Sequence, residues 1–274
     1  MRQLTIGTRG SKLARVQAAQ VRDRLQTRHP DLAVELAIIT TRGDVIQDRP
    51  LAAFSDKGLF VDEIEAALRQ GRIQLAVHSA KDLPAALAPD LTIAAYLPRA
   101  DVRDVLVAPA GARLATLPAG ARVGTSSLRR ACQLRALRPD LHLLDIRGNV
   151  DTRLRKLHAG QYDAIVLAAA GLDRLQLAGA IAEYLEPDRL LPAVGQGALA
   201  VEIATGDEAT AAYLAALDDL STRRAVEAER AFLARLGGGC KLPAAGYATL
   251  DAGGLRLRGL VGAPDGRLLR AEIA

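Results

Sequence analysis

Strand-like and helix-like runs alternate along the first 170 residues, and this alternation limits the fold more than any other feature. "LTIG" (4–7) reads as a strand, and "SKLARVQAAQVRDRLQTRH" (11–29) as an amphipathic helix stopped by Pro30. "AVELAII" (33–39) is a second strand, "GLFVDEIEAALRQG" (58–71) a helix closed by Gly71, and "IQLAVHS" (73–79) a third strand. The pattern resumes with a strand at 121–124, a helix at 127–138, a strand at 141–146, a helix at 150–160 and a buried strand at 162–170. Such alternation predicts α/β layers with largely parallel sheets.

A weak internal repeat points to two such units. "TIGTRGS", a helix and "HPDL" fill 5–32; "RVGTSS", a helix and "RPDL" fill 122–141. Chance in an Arg-, Ala- and Leu-rich chain and duplication both account for it. The stretch 96–120 is irregular and rich in Pro and Gly, a plausible crossing between units, and "LPAVGQGALAVEI" (191–203) is a second junction. From about Leu220 a helix followed by the short strands "AGYATL" and "LRLRGLV" suits a small α+β unit.

The 274 residues, half of them hydrophobic, suffice for two or three domains. No run reaches the roughly 18 apolar residues of a membrane span. "MRQLTIG" holds no signal-peptide core, so a soluble cytoplasmic protein is expected. Two cysteines make no disulfide framework, and no histidine stands at metal-ligand spacing from a cysteine or a second histidine. Between Arg122 and Lys156, nine basic residues face three acids, a net +6 that favours an anionic partner. Nucleic acid is one candidate, but 3% aromatic residues and no Trp supply few stacking platforms.

The βα turns carry the chemistry. In "GTSSLRR" (124–130) a helix starts near Ser127. Its unpaired N–H groups favour an anion, and Ser126 or Ser127 can cap them. Arginines oppose the dipole at a helix start, so Arg129 and Arg130 there imply an incoming negative charge; solvated arginines behind an ordinary cap are the plainer reading. "GTRGS" (7–11) repeats the design with Arg9 and Ser11, and "DIRGNVDTR" (145–153) with Arg147 and Arg153. In open α/β sheets such turns line the ligand-binding edge, and arginine suits carboxylates or phosphates. In "HSAKDLP" (78–84), Asp82 ends a strand beside Lys81 and His78; it suits acid–base work or a cationic partner, and equally an Asx turn before Pro84. The 42–57 loop reads as a mobile lid carrying Lys57. Cys132 lies in a helical pattern and reads as structural, whereas Cys240 follows three glycines in "LARLGGGCKLPAAG" and reads as accessible.

Taken in order, "IGTRGSKLARVQ", "TRGD", "KGLFVDEIE", "AVHSAKDLP", "VGTSSLRR", "RGNVDTRL", "YDAIVLAAAGLDRL", "LPAVGQGALAVE", "AERAFLARLGGGC" and "LVGAPDG" resemble the porphobilinogen deaminase (hydroxymethylbilane synthase) family over essentially the whole chain. The resemblance implies an α/β fold of two periplasmic-binding-protein-like α/β lobes plus a small α+β C-terminal domain. Its expected boundaries are 1–97 with 198–217, 98–197, and 218–274. It implies a monomeric cytoplasmic transferase that condenses four porphobilinogen molecules head to tail, with loss of ammonia, into hydroxymethylbilane. A dipyrromethane cofactor attached through Cys240 would prime the chain, with no metal, nucleic acid or membrane involved. Asp82 matches the family's catalytic aspartate. Arg9, Ser11, Ser79, Lys81, Thr125, Ser126, Ser127, Arg129, Arg130, Arg147, Gly148, Arg153, Arg174 and Gln196 match cofactor- or substrate-binding positions, with Lys57 and Phe60 on the lid.

Two features depart from the family pattern. Lys241 stands where a small or polar residue is expected, and "GGGC" replaces the usual acidic-Gly-Gly-Cys. The third domain is expected to be short, since the last residues, "RLLRAEIA", stand where family members continue into another helix. The competing reading is a non-catalytic two-lobed anion-binding protein.

Overall fold

The computed structural model describes residues 3–45, 61–238 and 242–274. The first lobe is built on β1 (Gln3–Thr8), α1 (Lys12–Arg28), β2 (Ala33–Ile38), α2 (Arg42–Val45), α3 (Asp62–Arg69), β3 (Leu75–Ser79) and β4 (Leu91–Tyr96). The second holds β5 (Asp104–Val107), β6 (Arg122–Gly124), α4 (Leu128–Leu137), β7 (His142–Leu144), α5 (Val150–His158), β8 (Ala164–Ala168), α6 (Ala169–Arg174) and β9 (Ile181–Leu185). The chain then returns through β10 (Leu199–Ala204) and α7 (Glu208–Leu214) to the first lobe. It ends in α8 (Leu220–Arg235) and a sheet of β11 (Ala244–Asp251), β12 (Gly254–Gly262) and β13 (Leu268–Ile273).

The two large sheets share one topology. The first runs β2-β1-β3-β10-β4 and the second β7-β6-β8-β5-β9. In each, the first three strands are parallel, and the fourth, which enters from the other lobe's side of the chain, is antiparallel to both neighbours. The sequence repeat maps onto this symmetry: β1–α1 and β6–α4 are topological equivalents, and Ser11 and Ser127 cap the two helices by accepting from the N–H three residues on.

Burial follows period. On α1 the buried residues Ala14, Gln17, Ala18, Val21 and Leu25 form one stripe. Ala18, Val21 and Leu25 pack with Ile6, Leu75, Val201 and Leu214 in the first-lobe core. Parallel strands bury both faces, and β8 shows it. Ala164 and Val166 join one core with Val123 and Leu134, while Ile165 and Leu167 join another with Leu154 and Leu172. The C-terminal sheet meets α4 through Cys132, Leu191, Ala245 and Leu260, so Cys132 is structural, with burial pushing its thiol up.

Several elements differ from the sequence reading. The 96–120 stretch contains β5, and the 191–203 junction ends in β10. Both strands take their place from distant partners rather than from local pattern. The expected strand 162–170 stops at Ala168 and turns into α6. β4, β9, α7 and β13 lacked a clear local signal. The expected lid lies outside the described residues beyond α2, where Arg42 bonds Asp62 and Glu63.

The basic run 122–156 is not one surface. Arg122 pairs with Asp163 at 2.8 Å, Arg138 with Asp140 at 2.6 Å, and Arg129 and Arg130 turn inward.

Candidate active site

The sheet topology brings the end of β3 to face the start of α6. A cleft there is lined from the first lobe by Leu13, Gln17, Ser79, Lys81 and Asp82. From the second lobe come Ala168, Ala170, Gly171 and Arg174, and from the return crossing Gly195, Gly197 and Ala198. Asp82 closes a single 3-10 turn, Ala80–Asp82, and its side chain is exposed to this cleft. His78 leaves the site: its Nε2 sits 3.1 Å from the buried carboxylate of Glu202.

The cations around Asp82 are compressed. Burial pushes the Lys81 ammonium down to about 8, against the pull of Asp82. Burial, then Arg130 and Arg147, push Arg153 down to about 10, again opposed by Asp82. Burial does the same to Arg174, also to about 10. Among the described residues, the nearby carboxylates do not offset this burial. A desolvated site that strains to keep its cations charged has its own demand for an anion.

Fixed geometry holds the set. Gln17 Nε2 donates to Ser79 Oγ at 2.9 Å. Arg153 Nε donates to the Gly148 carbonyl at 2.8 Å, and Lys156 Nζ to that of Arg147 at 3.2 Å, which fixes the β7–α5 turn. Gly148 has φ +107°, and a Cβ there would lie 2.6 Å from Thr152, so glycine is required. Arg174 Nη2 donates to the Gly197 carbonyl at 2.8 Å, joining α6 to the return crossing.

Four expected ligand groups have structural duties. Ser126 Oγ bonds both the carbonyl and the N–H of Ile146, at 2.8 and 2.9 Å. Ser127 Oγ accepts from Arg130 N, and Thr125 Oγ1 from Ser127 N. Ser11 caps α1 at the neighbouring turn, where Arg9 also lies. Arg129 and Arg130, expected to face a ligand, are 5% and 6% exposed and bond a residue the sequence reading missed, Asp104. Its signal was a carboxylate opening the apolar run "DVLV", costly unless paired. Gln17 was missed too, as one polar residue on an apolar stripe. Lys57, Phe60, Cys240 and Lys241 lie outside the described residues.

Two α/β lobes that meet around one carboxylate with desolvated cations beside it define a two-lobed protein with an anion-attracting cleft. The family model for "porphobilinogen deaminase, dipyromethane cofactor binding domain" matches residues 4–212, and that for the porphobilinogen deaminase C-terminal domain matches 223–273. Porphobilinogen deaminase of Roseiflexus sp. (strain RS-1) is 66% identical over 267 residues, 97% of this chain and 88% of that protein. The porphobilinogen deaminase of Syntrophotalea carbinolica is 55% identical over 269 residues, 98% of this chain and 85% of that protein. The chain belongs to the porphobilinogen deaminase family. Among solved structures it is similar to the Bordetella pertussis BvgS VFT2 domain, at TM-score 0.46 and 19% identity over 84% of this chain and 92% of that one. It is also similar to the Escherichia coli aliphatic sulphonate binding protein SsuA, at TM-score 0.44 and 18% identity over 86% and 71%.

Proposed function

We propose that this chain is a transferase that joins four porphobilinogen molecules head to tail, releasing one ammonia per unit and taking up one water as the tetrapyrrole is freed, to give hydroxymethylbilane. The observation that carries this is Asp82, an exposed carboxylate in a cleft it shares with Lys81 and Arg174, with Arg153 near enough to feel its charge. In each condensation the substrate's aminomethyl C–N bond breaks and ammonia leaves. A C–C bond forms from the freed carbon to a pyrrole α-carbon, which then gives up its proton. Positive charge develops on the pyrrole as the amine departs, and a fixed carboxylate stabilises it better than water does. Lys81, Arg153 and Arg174 bind and orient the acetate and propionate groups.

The donor set also fits a dipyrromethane, whose carboxylates would offset the burial that, with the neighbouring arginines, depresses Lys81 and Arg153. Lys81, Arg147, Arg153 and Arg174 would hold it, with Cys240 as the anchor. When bound, it supplies the pyrrole carbon from which the chain grows. Arg9, Ser11, Ser79 and Gly148 complete the binding surface, with Thr125 and Gln196 buried behind it.

The same reading divides the chain at 1–97 with 198–217, 98–197 and 218–274, supported by the strand membership of the three sheets. It takes the protein as a cytoplasmic monomer, which sedimentation would check. Turnover of porphobilinogen with ammonia release is the test. Asp82→Ala should lose about 100-fold or more in kcat while remaining folded, and the intact mass should exceed the sequence mass by two pyrrole units, an excess absent from Cys240→Ser. A folded Asp82→Ala variant with unchanged turnover refutes the assignment.

A further inference from the structure

One fully buried carboxylate gathers groups from α4 and the return crossing. Asp104 opens β5, the crossing strand, and is fully buried. Its Oδ2 accepts from Arg129 Nη1 at 2.7 Å. Its Oδ1 accepts from Arg130 Nη2 at 2.7 Å, Arg130 Nε at 3.1 Å and Gln196 Nε2 at 3.0 Å. Gln196 lies on the return crossing, and its Oε1 accepts from Lys81 Nζ at 3.5 Å. A continuous path thus runs from α4 of the second lobe, through both crossings, to the residue beside Asp82.

A guanidinium has five N–H donors. Arg129 gives two to protein acceptors and Arg130 three, counting the carbonyls of Leu191 and Val166. Both planes are therefore fixed with donors left over. Burial alone would raise the Asp104 carboxyl, but Arg129 and Arg130 overcome it and hold the group far below the usual carboxylate range. The trio thus carries a net charge of +1 instead of the +2 that two arginines would bring.

We propose that Asp104 is a positioning residue for the condensation: it aims Arg129, Arg130 and Gln196 and halves the arginine charge, so the cleft grips a growing polyanion without trapping it. The consequence for turnover rests on the function proposed above; the geometry does not. Each added unit brings two carboxylates, and a site with undamped charge would bind the longer chain ever more tightly.

The test uses two variants of the full chain carrying its cofactor. Asp104→Asn keeps shape and removes charge; Asp104→Glu keeps charge and shifts the carboxylate by one methylene. Assayed well below their melting temperatures, both should lose kcat by about 100-fold, as expected for a roughly 1 Å misplacement. Only Asp104→Asn should also gain a KM that rises more steeply with salt than the wild type's, because one more cation then faces the substrate. A folded Asp104→Asn protein with kcat within threefold of wild type and an unchanged salt slope overturns the proposal. So does an equal salt slope in the two variants, which marks a merely structural group. Should Asp104→Asn fail to fold, Asp104→Glu decides alone: wild-type kcat refutes positioning. Should the wild type itself not release ammonia from porphobilinogen, the functional reading fails. The arginine ¹⁵Nε–H signals then judge Asp104. The Arg130 signal should shift in either variant, and unchanged signals overturn its role.

Discussion

Glu229→Ala should destabilise the protein more than almost any other single change. Glu229 lies on α8 and is fully buried. It accepts from Arg99 Nη1 at 2.6 Å and Nη2 at 3.0 Å, from Gly195 N at 2.7 Å and from Ala248 N at 2.8 Å. Those donors sit on the outgoing crossing, the return crossing and β11. One side chain therefore ties both interlobe connections to the C-terminal sheet. Burial pushes the Glu229 carboxyl up, against Arg99, so the pair itself is no great source of stability. Removing one partner is another matter. Alanine leaves a largely buried guanidinium without its counter-charge, bonded among the described residues only through Nε to the Gln196 carbonyl, and two N–H groups without an acceptor, a loss of about 3–5 kcal/mol. At roughly 2–4 °C per kcal/mol the melting temperature should fall by about 6–20 °C in scanning calorimetry. Glu229→Gln keeps the volume and one oxygen and should cost less, about 1.5–3 kcal/mol. The double variant Arg99→Met/Glu229→Leu should recover part of the alanine loss, because no charge is stranded. An alanine variant within about 1 kcal/mol of wild type, too small for any stranded buried charge, or a double variant worse than Glu229→Ala, refutes the account.

Because burial holds Lys81 at about 8, its charge is lost as pH rises through that value in the unliganded protein. Anion affinity of the cofactor-free Cys240→Ser protein for a dicarboxylate should therefore weaken above about pH 8; adding Lys81→Arg should carry that limb to more alkaline pH, and coincident binding profiles would disprove the link. Gly197 has φ +86°, and a Cβ there would press on the backbone carbonyl of Ala100. Gly197→Ala should therefore cost more than about 2 kcal/mol and shift the outgoing crossing. Gly179→Ala, with nothing within 4 Å of its Cβ and no positive φ, is the control expected to be neutral in the same melting assay.

The βα turns were legible because their signals are local. Ser11, Ser127 and Asn149 cap helices by bonding the N–H three residues on, and the apolar spacing behind them is helical. The crossing strands were not. "DVLV" and "LAVEIA" are short apolar runs beside Pro and Gly, and each becomes a strand only between partners dozens of residues away. The site divided the same way. That arginines gather at the turns was readable from spacing. Which of them face a ligand was not, since Asp104, 25 residues before Arg129, decides it.

The shared topology explains why the reactive groups differ between lobes. The segment after β3 and the segment after β8 occupy the same place in their sheets, each beside the antiparallel strand that crosses over. In the first lobe that place holds Ser79, Lys81 and Asp82; in the second it holds Ala169, Ala170 and Arg174. Facing each other across the cleft, the equivalent positions supply a carboxylate from one side and a cation from the other. A repeated fold without this divergence would confront carboxylate with carboxylate, or bind anions with nothing to meet a developing positive charge. The asymmetry at equivalent positions turns a two-lobed anion cleft into one suited to breaking a carbon–nitrogen bond.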